Sequence, residues 1–359
     1  MAAHPHGDEA AAAARMPQRV ALLQRAQAEL ERGDATQALD DFERAAMMLH
    51  AGDAELGLIR AAMQDGQYRR ALAFCAHTAG EHTDDAEGGA LYAWLLRIGG
   101  QDALARQVLA DARTHAPGDA LAGAVETAFA VTPPIAAGLL LQPPHRMAPW
   151  PVAFDGASPP ASARFVSNGV LVDAGASALV PLRALERVTP ARLWVRNGLG
   201  QTVAAELDRD DAGSAGLGLV RLKLHAALPL GASREAEGRP PFAGSPGYSM
   251  QFGETSAPAW PMMTQGFLGR PVGDTGARKV GFASTSGAAV FDAHGVLVGI
   301  TLAGANDAAT WTPLPAVVPA QQAASGASPA RSLPGLEAPD EIYEVGLRRA
   351  LQVLVDTPR

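Results

Sequence analysis

Along residues 17–131 apolar positions recur at three- and four-residue steps, as on one face of a helix, and strand-like alternation is absent. Beyond about residue 160 the pattern changes to short apolar runs separated by Gly, Asn and Asp. These predict strands over 164–173, 178–182, 191–197, 202–208, 218–224, 247–252, 262–268, 279–282, 289–291 and 296–302. Asn197-Gly198 is a strong hairpin-turn signal between two of them, and Ala293-His294-Gly295 is another tight connection. Many short, evenly spaced strands indicate a barrel or a sandwich. Between the two patterns lie Pro133-Pro134, Pro143-Pro144, Pro149, Pro151 and Pro159-Pro160. Repeated prolines forbid a continuing helix, so the helical region ends at about residue 131, and 132–160 reads as a Pro-rich linker.

The helical half repeats. Gly33, Gly66 and Gly100 recur at intervals of 33 and 34, and Ala38, Ala71 and Ala105 follow each glycine at the same offset. The glycine breaks the chain between two antiparallel helices, and the small alanine lets the second helix approach the first closely. Phe42 and Leu109, one helical turn further on, fill the gap between neighbouring hairpins. Pro117 ends the third unit, and 119–130 reads as a capping helix. A period of 33–34 residues is the tetratricopeptide length. Residues 17–131 resemble that family, although the large aromatic near the start of each unit is missing. The resemblance implies a concave surface that binds a peptide or a partner protein; a plain helical spacer is the other reading.

At the ends the signals thin out. Residues 1–16 are polar and Ala-rich and are expected to be disordered, and 313–339 has the Pro, Ala and Ser composition of a linker. Structure returns over 340–359, where Asp340 is a plausible cap and Ile342, Leu347 and Leu351 share a face. Leu351-Gln-Val-Leu-Val355 fits either the end of a helix or a strand.

Composition narrows the classes. Hydrophobic residues make up 48% and charged residues 18%, so the chain can bury a core and is not a disordered polymer. A formal net charge of −8, without clustered cations, argues against a nucleic-acid partner. The one cysteine, Cys75, allows no intrachain disulfide and no cysteine-based metal site, and it reads as a small buried apolar residue. No P-loop or dinucleotide fingerprint is present, so no cofactor and no metal is expected. The start lacks a basic, apolar leader and no apolar run reaches a membrane span, which gives a cytoplasmic expectation.

The β-rich half carries a second resemblance. The segments Asn168-Gly-Val-Leu-Val-Asp173 and Ala178-Leu-Val-Pro-Leu-Arg-Ala-Leu185 are similar to the opening strands and helical turn of bacterial trypsin-like peptidases. Gly216-Leu-Gly-Leu-Val-Arg-Leu222 is similar to the segment leading out of their first barrel. Thr285-Ser286-Gly-Ala-Ala-Val-Phe-Asp292, with Gly295-Val-Leu-Val-Gly-Ile300, is similar to their nucleophile loop and following strands. The resemblance implies a fold of helical-hairpin repeats followed by a chymotrypsin-like double β-barrel over 161–312. The segment 340–355 resembles the short helix and strand that these peptidases carry before their first barrel; here it comes last, which implies a rearranged chain whose final strand, within 340–359, docks on the first barrel and completes it, with an unrelated terminal helix as the alternative.

The chemistry that the family needs is incomplete. Its general base falls at Arg183, and a guanidinium cannot take a proton at neutral pH. Its orienting acid falls at Gly216, which has no side chain. The nucleophile position is kept as Ser286, but Ser284 replaces the preceding glycine, and Ala288-Ala289 replaces Gly-Pro. Loss of that glycine makes an unusual backbone angle costlier by roughly 1 kcal/mol or more. The remaining histidines here, His145, His225 and His294, read as surface or linker residues. Two functions follow as expectations: a non-catalytic interaction protein with an inactive peptidase domain, or a serine hydrolase using Ser286 with a non-standard base.

Overall fold

The computed structural model describes residues 6–81, 86–156, 158–186, 192–211, 214–231, 241–273, 276–303, 309–314 and 335–356. The chain divides into two compact units, one helical and one β-rich.

The helical unit contains α1 (His6–Glu31), α2 (Ala35–Met48), α3 (Gly52–Asp65), α4 (Tyr68–Glu81), α5 (Ala86–Ile98), α6 (Asp102–His115) and α7 (Ala120–Ala128). Gly33, Gly66 and Gly100 each stop a helix at φ 84°, the left-handed region that a side chain would disfavour. Ala38, Ala71 and Ala105 are fully buried, and Phe42 and Leu109 nearly so. Phe42 packs so closely on α3 that a Cβ at Gly57 would sit 2.2 Å from its ring. Asp119 caps α7, its Oδ1 accepting the Ala122 N–H at 2.7 Å.

Two segments expected to lack structure are built into this unit. The helix α1 begins at His6, inside 1–16; the Ala-rich run there has high helix propensity, which outweighed its polarity. Residues 136–151, inside the expected linker, also belong to the helical unit. Arg146 braces it, donating to the carbonyls of Leu141, Ala148 and Pro149, with its guanidinium 5.0 Å from the Trp150 ring centre. The Trp150 N–H donates to Gln64 Oε1 at 2.7 Å. The prolines excluded helix here, not packing.

The β-rich unit opens with a two-residue strand, β1 (Val152–Ala153), then β2 (Arg164–Val172), β3 (Ser177–Pro181), α8 (Leu182–Glu186), β4 (Arg192–Asn197), β5 (Gln201–Leu207) and β6 (Leu219–Leu224). It continues with β7 (Pro246–Gln251), β8 (Met262–Pro271), β9 (Arg278–Val280), β10 (Ala289–Asp292), β11 (Leu297–Ala303) and β12 (Ala309–Pro313), and ends with α9 (Pro339–Arg349) and β13 (Ala350–Asp356). The strand β12 has no counterpart among the predicted strands, because its Thr310, Trp311 and Thr312 lie directly against the Pro-, Ala- and Ser-rich segment. Of that linker, residues 315–334 lie outside the described residues.

Two antiparallel barrels result. The first has the order β5-β4-β13-β2-β3-β6, closed by pairing of β6 with β5. The second is β10-β11-β12-β9-β8-β7, closed between β7 and β10. Leu171, Val180, Val195, Val203, Leu222, Leu351, Val353 and Val355 fill the first core, and Leu268, Val290, Val298 and Trp311 the second. This is the double β-barrel architecture of the chymotrypsin fold. The C-terminal strand is inserted between β2 and β4, so the chain's last strand lies in the middle of the first barrel sheet.

The helix leading into β13 is capped at Ala338, not at Asp340: the Ala338 N–H donates to Glu341 Oε2 at 3.2 Å, and Asp340 sits in the first turn. Pro339 fixes the first turn, so the helix starts one residue ahead of the expected cap. Ile342, Tyr343 and Leu347 are fully buried, and the Tyr343 hydroxyl donates to the Pro261 carbonyl at 2.7 Å. Leu347 O accepts the Gly198 N–H at 2.7 Å, which docks α9 on the β4–β5 turn. That turn is built by Asn197, whose Oδ1 accepts from the Leu199 and Gln201 N–H groups, with Gly200 rather than Gly198 at positive φ. No helix among the described residues is long and apolar enough to cross a membrane.

Candidate functional site

Ser286 occupies the turn that enters β10. The residues on either side of it are held by a partly buried polar network. The Thr285 N–H and hydroxyl both donate to Gln251 Oε1, at 2.6 and 2.9 Å, and Asn168 Nδ2 donates to Thr285 Oγ1 at 3.1 Å. The Thr301 hydroxyl donates to Thr285 O at 2.5 Å and accepts from the Ala288 N–H at 2.9 Å. The Gly287 N–H donates to Thr301 O at 2.8 Å. Gly287 has φ 88°, and a Cβ there would meet Asn168 O at 2.1 Å, so glycine is required by both backbone and space.

Ser286 itself is half-buried, and among the described residues its hydroxyl makes no hydrogen bond. Strain expected at Ser284 is absent. Asp173 and Ala174 are the non-glycine residues with positive φ among those described, so Ser284 takes an ordinary backbone conformation. The serine has been accommodated by a turn that does not ask for glycine at that position.

Arg183 lies in α8, directly after β3, with its side chain exposed. Gly216 lies in a short 3-10 turn, Ala215–Leu217, and a Cβ there would meet nothing within 4 Å. The fold does bring these two segments together: the Leu182 N–H donates to Gly218 O at 2.9 Å. Gly218, at φ 73°, immediately precedes β6, and Leu302 of the second barrel lies 3.7 Å from where its Cβ would stand. The two glycines thus leave this junction without a carboxylate. Asp173 and Asp211 both pair with Arg221, Asp211 at 3.4 Å.

The histidines are elsewhere. His225 is exposed beyond β6, and His294 Nδ1 lies 3.1 Å from Gly335 O. His145 sits in the helical unit, 3.0 Å from Glu87.

A polar row supporting this region was not legible in the sequence. Arg196, Gln352 and Asn168 stand opposite one another across β4, β13 and β2. All three are buried and all three reach the loop after β7. Arg196 donates to Ser256 O at 2.7 Å, and Gln352 to Thr255 O and Ala257 O at 2.8 and 3.1 Å. Asn168 Oδ1 accepts the Phe252 N–H at 2.7 Å. The available signal was a polar residue inside each of three apolar strands, because buried polar side chains are as a rule hydrogen-bonded; in this row Gln352 Oε1 has no hydrogen-bond partner among the described residues.

Comparison with known proteins agrees with the helical half. Residues 29–95 match the tetratricopeptide repeat family. No curated protein matches the chain. A solved structure to which it is similar is the MamO protease domain from Magnetospirillum magneticum in its apo form, at 16% identity. The match covers 44% of this chain and 88% of that one, with a TM-score of 0.32, too loose for residues to be transferred.

Proposed function

We propose that this chain is a non-catalytic interaction protein, in which the helical repeats bind a peptide or partner protein and the double barrel is a pseudopeptidase. The tetratricopeptide match supports the interaction role, since helical hairpins of this kind stack to form extended binding surfaces. The observation that carries the inactive reading is the turn after β3. It offers Arg183, a permanent donor, where a base is needed. The neighbouring junction at Gly216 and Gly218 offers nothing to orient a base, and the nearby carboxylates are engaged by Arg221.

A serine without an adjacent base is a weak nucleophile. Removing members of a catalytic triad lowers rates on the order of 10⁴–10⁶-fold, and because the members act as a unit the loss of either base or acid is enough to bring a site into that range. The intact framework is consistent with a retained scaffold, because the network around Thr285 holds the turn whether or not Ser286 reacts.

The test is labelling of the purified full chain with a fluorophosphonate probe. No labelling above that of Ser286→Ala is expected. Labelling that disappears in Ser286→Ala would overturn the proposal and establish a serine hydrolase working with a non-standard base.

A further inference from the structure

The helical unit holds a cluster that the repeat architecture does not require. His50 follows the end of α2, Glu55 lies in the first turn of α3, and His77 lies in α4. Their side-chain ligand atoms converge. Glu55 Oε1 is 2.6 Å from His50 Nε2 and 3.7 Å from His77 Nε2, and the two Nε2 atoms are 3.4 Å apart. The imidazoles lie on the surface, with side chains 61% and 46% exposed, whereas the Glu55 side chain is only 6% exposed. The second carboxylate oxygen, Oε2, accepts the Thr78 hydroxyl at 2.7 Å.

We propose that His50, Glu55 and His77 bind one divalent transition-metal ion, with zinc the best fit. Two imidazole nitrogens that face each other at this distance share either a proton or an electrophile, and a buried carboxylate oxygen beside both supplies the negative charge a cation needs. A tetrahedral ion with bonds of about 2.0–2.1 Å places its ligand atoms about 3.3–3.4 Å apart. The nitrogen pair already meets that spacing. The two nitrogen–oxygen distances lie on either side of it, within reach of small rotations of the surface imidazoles.

Two imidazoles and one carboxylate suit zinc and its neighbours in the first transition row. Calcium and magnesium prefer all-oxygen sets. Three protein ligands leave a fourth position toward solvent, which a water molecule fills. The Thr78 hydroxyl fixes the orientation of the carboxylate, the role that outer-shell hydrogen bonds play at metal sites. Because His50 lies in the connection between α2 and α3 while Glu55 and His77 lie on α3 and α4, a bound ion would tie that connection to the second hairpin and stabilise the folded unit by mass action.

The experiment uses the full chain, stripped with a chelator and titrated with Zn²⁺ by calorimetry and with Co²⁺ by visible absorption. One equivalent is expected at this site, with cobalt d–d bands of tetrahedral intensity and a melting temperature that rises with zinc. His50→Ala and His77→Ala should each weaken binding at least tenfold while leaving the circular-dichroism spectrum unchanged. Thr78→Val should weaken it about tenfold, through loss of carboxylate orientation. His4 and His6 are a second source of imidazole in this chain. Binding that survives unchanged in the His50→Ala/His77→Ala double variant therefore overturns the proposal, as does the absence of zinc binding by the parent chain.

Discussion

Val353, in the last strand, stands opposite Val195 of β4 in the middle of the first barrel, and both side chains are fully buried in its core. On its other edge β13 pairs with β2, where Val353 faces Ser167. The first barrel therefore has a gap between β2 and β4 until the C-terminus arrives. Such pairing of distant segments makes for slow folding, because loop closure precedes the reward of contact.

Deleting residues 339–359 should open the first barrel. Leu351, Val353 and Val355 leave its core, each worth roughly 1.5–3 kcal/mol of burial, and β2 and β4 become unpaired edges. Aggregation, or a lower melting transition, is expected in size-exclusion and thermal-melting measurements. Leu351→Ala, a milder probe, should destabilise by about 2–5 kcal/mol. A truncated chain that stays monodisperse with an unchanged melting temperature would contradict the docking.

Gly287→Ala should be far more damaging than Ser286→Ala. At residue 287 the added methyl group meets the Asn168 carbonyl and the backbone is left-handed, which alone costs on the order of 1–3 kcal/mol. At residue 286 a half-buried hydroxyl that has no hydrogen bond among the described residues is lost, a change that stays within about 0.5 kcal/mol. Chemical denaturation of the two variants measures the contrast.

Cys75 should be inert in the native protein. It takes the position in the second repeat that Phe42 and Leu109 take in the first and third, and it is fully buried in α4. Burial pushes its thiol well above the ordinary range, so little reactive thiolate exists at neutral pH. A thiol-reactive dye should label it only after denaturant is added; rapid labelling of the folded chain would show that α4 opens readily.

The helical unit should lose stability in acid. Asp41 is buried and hydrogen-bonded by Arg25, with Nη2 to Oδ1 at 2.6 Å, and this pairing holds its carboxyl below the usual range. The Arg19 hydrogen bond does the same to Asp53. A carboxylate whose folded pKa is depressed adds stability above its unfolded pKa, about 3.9, and that stability disappears as pH falls through the lower folded value. Glu29 opposes this, its carboxyl being raised first by burial and then by the neighbouring Asp41. Asp41→Asn should therefore be less stable than the parent at pH 7, with the difference shrinking toward pH 2. A stability difference that stays constant across this range would remove Asp41 from the account.

Periodicity alone determined the two kinds of architecture in this chain. A glycine at each helix stop and an alanine at each close approach are local requirements, so Gly33, Gly66, Gly100, Ala38, Ala71 and Ala105 announce the repeats, and alternation announces most of the strands. The residues at positions 183 and 216 were also plain to read, since no fold can turn an arginine into a base or give glycine a carboxylate. What a strand pairs with is another matter. Alternation specifies which side chains face the core but not which neighbour supplies the other edge, so only the closed barrel placed β13 between β2 and β4. The row of Arg196, Gln352 and Asn168 exists only because that insertion aligns them. His50, Glu55 and His77 also meet through tertiary packing: α4 folds back on α3 and brings His77 to Glu55 and His50, which lie more than twenty residues earlier in the chain.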